Sequence, residues 1–101
     1  VPTDNTAASN TEAIANVTVP AKTPVIAGEE GICKGCGVAT LSISYYDLGM
    51  TTGKMAAKIL TGEADISTMP IEFTTATPKY NASMCETLGI TPLEGYTAIA
   101  E

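Results

Sequence analysis

The chain has 101 residues, a mass of 10.4 kDa and 45% hydrophobic residues, which bounds it to one domain or a piece of one. It contains no His, Arg or Trp, so Ser-His and Cys-His nucleophile pairs, imidazole metal sites and guanidinium forks are excluded from these residues. Eleven carboxylates against five lysines, a net charge of -6, argue against nucleic-acid binding, which rests on neutralising phosphates.

No apolar run approaches the roughly 18 to 20 residues that a bilayer span needs. Val1-Pro2-Thr3-Asp4-Asn5 lacks the basic and apolar regions of a secretory signal. Three cysteines are too few for a disulfide-built scaffold, so a packed apolar core must hold the fold.

In chain order, Asp4 and Asn5 precede Thr6 to Val17, whose Ala, Ile and Val content and early acidic group predict one helix beginning at a side-chain cap. Its Thr, Ser and Asn content makes it weak by propensity, so packing of Ala7, Ala8, Ile14 and Val17 would have to hold it. Pro24-Val25-Ile26-Ala27 reads as a brief strand. The stretch Gly28 to Gly37 carries four of the nine glycines and reads as an irregular loop. Val38 to Ser44 alternates Ala39, Leu41 and Ile43 with hydroxyls, predicting a strand with those three on its apolar face.

Ser44-Tyr45-Tyr46-Asp47 has the form of a capping box, opening a helix with Leu48, Thr52, Met55 and Ile59 on one face and a stop at Gly62. Gly49 and Gly53, one turn apart, suggest close packing on that side. Met69 to Thr75 reads as a short strand, and Asn81 to Leu88 as a helix capped by Asn81 and ended at Gly89. The tail from Ile90 is ambiguous. Helices alternating with short strands predict an α/β fold with parallel pairing.

Ligands in open α/β sheets sit beyond the carboxyl ends of strands. Three loops qualify: Thr3-Asp4-Asn5, Gly28-Glu29-Glu30-Gly31 and Ser44-Tyr45. They offer carboxylates, an amide, hydroxyls and a ring, suited to a small ligand with an amine and an apolar part. Asp or Asn before a helix also reads as a cap alone, and Tyr45 as a packing residue.

The succession Pro2 to Asn5, Pro24 to Gly31, Ala39 to Gly49 with Thr52-Gly53, and Ile59 to Asp65 before Met69-Pro70 resembles the substrate-binding proteins of ABC transporters. It is similar in particular to the TrpX-like group, a branch of type I periplasmic binding proteins. The resemblance implies a Rossmann-like parallel sheet with flanking helices in each of two lobes that close on a ligand. It further implies a fragment lacking the N-terminal two-thirds, with residues 1–37 part of the second lobe and 38–101 crossing a hinge and returning to the first.

On this resemblance the chain is not an enzyme and needs no cofactor or metal. It carries part of a site for an amino acid, aromatic ones included, with Thr3, Asp4, Asn5, Glu29, Glu30, Ser44 and Tyr45 as ligand contacts. Ser44 stands where family members commonly have Asp, which removes one charge that could pair with a ligand amine. The implied partners are the small ligand and a membrane permease. The implied location is extracytoplasmic, with a lipid anchor on the parent protein. Lobe edges left uncovered in a fragment would favour self-association.

Cys33-Lys34-Gly35-Cys36 admits three readings: a redox pair in a small thiol oxidoreductase, a disulfide, or two small side chains filling a turn. A metal site would need a second pair, and Cys85 is the one remaining thiol. Asn16-Val17-Thr18 and Asn81-Ala82-Ser83 match glycosylation acceptors.

Overall fold

The computed structural model describes residues 1–100; Glu101, the end of the ambiguous tail, lies outside them. The chain divides into two compact units. The first is Val1–Ser42 together with residues 77–100; the second is Ile43–Ala76.

The first unit opens with α1 (Asn5–Ala8) and α2 (Thr11–Thr18), where the sequence predicts one helix. The break has a local cause. Ser9 Oγ donates to Asn5 O at 2.8 Å and Asn10 Nδ2 to Thr6 O at 2.7 Å, so two short polar side chains take carbonyls of the first turn at the point where the helix stops. Ala7, Ile14 and Ala15 pack on the core, whereas Ala8 and Val17 are exposed.

β1 (Ile26–Ala27) leads into α3 (Glu30–Cys36), which replaces the predicted loop. Glu29 caps this helix, and its buried residues Ile32, Cys33 and Cys36 fall on one face. Two interior glycines cost helix propensity, but Gly35 lies where a Cβ would overlap the Thr11 side chain, so it allows α2 to approach α3. The core joins Val25, Ala27, Ile32, Cys33, Cys36 and Ile99.

β2 (Ala39–Ser42), β3 (Thr77–Tyr80) and β4 (Thr97–Ala98) complete a sheet of order β1-β2-β3-β4. The pairs β1–β2 and β3–β4 are parallel, as the alternation predicts; β2–β3 is antiparallel, with Thr40 opposite Lys79 and Ser42 opposite Thr77. The chain leaves this unit after β2 and re-enters it at β3, on the adjacent position and running in the opposite direction.

The face of β2 is the reverse of that expected. Thr40 is 1% exposed and Ser42 is buried, while Leu41 is 63% exposed. Hydroxyls lie on the face that the helices cover because Thr40 is the register partner of buried Ala27. Ala39 and Leu41 lie on the opposite face with Ile26. α5 (Ala82–Leu88) is capped by Asn81, whose side chain accepts from Met84 N, and ends at Gly89 in the left-handed region, as predicted.

The second unit contains α4 (Tyr45–Leu60). Ser44 Oγ accepts from Asp47 N at 3.2 Å, giving one half of the expected capping box. Leu48, Met55 and Ile59 are half-buried, as their spacing predicts, whereas Thr52, expected on the same face, is exposed. A Cβ at Gly49 or Gly53 would meet no atom of the described residues within 4 Å, so the expected close packing is absent here. Met69 to Thr75 forms no strand. Ile71 is 90% exposed and Phe73 also lies open, since alternation makes a strand only where a neighbour accepts its hydrogen bonds.

Candidate ligand-binding site

The carboxyl end of β1 gathers the first two predicted loops. Val1 N–H donates to Ile26 O and Gly28 N–H to Val1 O, both at 2.8 Å, so the start of the chain runs beside β1 in the manner of a short parallel strand. Thr3 Oγ1 then donates to Gly28 O at 3.2 Å. A Cβ at Gly28 would come within 2.7 Å of Thr3 N, so glycine permits this approach. Thr3, Asp4 and Asn5 thus stand beside Gly28, Glu29 and Glu30, at the end of the sheet where such folds place ligands.

The two loops carry three carboxylates, and these are not equivalent. Asp4 Oδ1 accepts from Ala7 N at 2.8 Å, capping α1 and leaving Oδ2 unengaged. Glu29 is occupied at both oxygens: Oε2 accepts from Gly31 N at 3.0 Å and Oε1 accepts from Ile32 N. Glu30 pairs with Lys79, Nζ to Oε2 at 2.8 Å, with side chains 37% and 30% exposed. Lys79 stands in no motif; the β2–β3 register brings it over α3. Beside it, the Thr40 hydroxyl is buried without a hydrogen-bond partner.

Ser44 and Tyr45 belong to the second unit. Ser44 caps α4, and Tyr45 is exposed on its first turn. A separate apolar cavity of about 180 Å³ in the first unit is lined by Ile26, Ala39, Tyr80, Cys85, Leu93 and Tyr96 among others, and by none of the predicted contacts.

The three cysteines are free, so Cys33 and Cys36 form no disulfide here. Burial, reinforced by Cys85, Cys36, Glu30 and Glu29, pushes the Cys33 thiol up to about 11, and burial raises Cys36 and Cys85 also. A redox cysteine needs the opposite, an accessible thiolate. The helical placement corrects the predicted loop without helping the redox reading, because Cys33 lies on the core side of α3. No cluster of three metal-ligating side chains occurs among the described residues, and none of their helices is long and apolar enough to cross a membrane.

Comparison with known proteins agrees with this architecture. The pattern of the family described as ABC transporter substrate binding protein matches residues 1–101, and the chain belongs to that family. A tyrosine-binding protein of Clostridioides difficile (strain R20291) is 36% identical over 64 residues, 63% of this chain and 19% of the relative. The ABC domain from Streptococcus pneumonia, solved in complex with L-Trp, is 30% identical with a TM-score of 0.81, over 98% of this chain and 35% of the other. The ligand-free, open structure of a substrate binding protein with adhesive properties from Clostridium difficile is 33% identical with a TM-score of 0.75, over 98% and 34%. The chain thus spans about a fifth of the curated relative and about a third of the solved structures.

Proposed function

We propose that the intact protein carrying these residues is the solute-binding component of an ABC importer and takes an amino acid with an aromatic side chain. The observation that carries this reading is the likeness, over nearly the whole chain, to a domain solved in complex with L-Trp. The tyrosine-binding relative supports the same ligand class. The polar groups beyond β1 supply anionic partners for a ligand ammonium, with Asp4 Oδ2 and Glu30 as the available carboxylates.

In this reading the protein is non-catalytic, works outside the cytoplasmic membrane on a lipid anchor, and delivers ligand to a membrane permease. Binding shifts it between open and closed states through contacts made only when closed. The first unit belongs to the second ligand-binding lobe, and Ile43–Ala76 returns to the first. Thr3, Asp4, Asn5, Glu30, Ser44 and Tyr45 contact ligand, while Glu29 shapes the loop. The 101-residue chain self-associates through its open sheet face, where Ile26 and Leu41 are exposed.

Calorimetric titration with a panel of amino acids tests the ligand class: L-tyrosine or L-tryptophan binds the intact protein, and aliphatic amino acids bind at least tenfold more weakly. Equal affinity across the panel overturns it. Comparable affinity of the 101-residue chain overturns the lobe arrangement, since a partial site leaves the ligand largely solvated.

A further inference from the structure

An amino acid presents two opposite charges on one carbon, and the Glu30–Lys79 pair presents two opposite charges 2.8 Å apart. Resting on the amino-acid reading above, we propose that this pair receives the zwitterionic head group of the ligand, with Lys79 binding its carboxylate and Glu30 its ammonium.

Elimination among the lysines of the first unit supports the assignment. Lys22 lies in the turn between α2 and β1, and Lys34 in the last turn of α3, both away from the carboxyl end of β1. Lys79 instead reaches the first turn of α3, directly after the Gly28-Glu29 loop. It is held level with the end of β1 by the register, Ala27 opposite Thr40 and Thr40 opposite Lys79.

Two carboxylates at this end keep a free oxygen, Asp4 and Glu30, and of these Glu30 is the one held against a lysine. Glu29 has both oxygens on backbone amides, whereas Glu30 spends one oxygen on Lys79 and has the other unengaged. The pair is also neither fully buried nor fully solvated, at 30% and 37% exposure. A ligand can therefore reach it, yet shields it from water on arrival, which strengthens charge-assisted bonds. A zwitterion adds no net charge to the pair, and each of its poles meets an opposite one.

The test compares L-tyrosine with tyramine, which lacks the carboxylate, by calorimetry on the intact protein. Lys79→Met weakens L-tyrosine by about tenfold or more, the scale of one charge-assisted bond, while tyramine binds unchanged or tighter. Lys79→Arg restores most of the L-tyrosine affinity, and Glu30→Gln weakens both compounds. Lys79→Gln is read in parallel, so a folding failure of the Met variant leaves the comparison intact. Equal losses for both compounds, or none for either, on Lys79 replacement overturn the assignment while leaving the amino-acid reading standing. A wild-type protein that binds no amino acid overturns both.

Discussion

The side-chain amide of Asn81 donates to the backbone carbonyl of Cys33 at 3.0 Å, joining residues 48 positions apart. The same nitrogen donates to Lys34 O at 3.1 Å, while its oxygen accepts from Met84 N and from Ser83 Oγ. One buried side chain therefore satisfies orphan groups at the end of α3 and at the start of α5.

Asn81→Ala removes a cap and leaves buried carbonyls without donors. We expect a loss of about 2–3 kcal/mol, read from urea denaturation. Asn81→Asp should lose a similar amount, because it keeps the cap acceptor but places an anion against the two carbonyls. The same contacts argue that the Asn81-Ala82-Ser83 tripeptide cannot accept a glycan in the folded chain, since the nitrogen it would use is already committed.

Glycine positions separate by what surrounds them. Gly35→Ala should cost about 1–3 kcal/mol, because the new methyl overlaps Thr11 at the α2–α3 crossing. Gly49→Ala and Gly53→Ala meet open space in α4, and each should stabilise the 101-residue chain by about 0.5–1 kcal/mol in thermal melts. Loss of stability in either would contradict the open surroundings described for that helix.

The thiols give a pH signature. Cys33 is raised above its unfolded value, so the unfolded chain releases this proton first as pH rises. The stability contribution of its burial is complete below about pH 9 and declines as pH climbs toward about 11. Cys33→Ala should flatten that decline, and iodoacetamide should modify the native protein only as fast as it unfolds. Rapid alkylation at neutral pH under native conditions would contradict the buried thiol.

Glu29 and Glu30, adjacent in sequence, should respond differently. Glu29→Ala removes the cap of α3 and should lower stability by about 1 kcal/mol. Any loss of ligand affinity should then follow the loosened loop and recover with Glu29→Asp or Glu29→Ser, which can cap again. Denaturation and calorimetry on the same variants check this.

Helix α5 was legible because its start and stop are local: Asn81 caps and Gly89 takes a positive φ. Helix α4 was legible for the same kind of reason, with Ser44 at its start. Helix α3 was hidden by glycine density, although the 32, 33, 36 spacing of its buried residues carried a helical signal. Strand β3 was invisible because Thr77-Pro78-Lys79-Tyr80 has little strand character of its own. Its pairing with β2 decides it. The loops at the ligand end could be located from the sequence, but which carboxylates remain available depended on hydrogen bonds that composition does not encode.

The antiparallel β2–β3 pair has an engineering consequence. Because Ser42 and Thr77 are register partners, residues 43–76 leave and rejoin the sheet at facing positions, as a long insertion into what would otherwise be a hairpin. Replacing that excursion with a two-residue Asn-Gly turn would convert the first unit into a continuous miniprotein with the Glu30–Lys79 pair retained. Shortening so long a loop also lowers the chain entropy lost on folding.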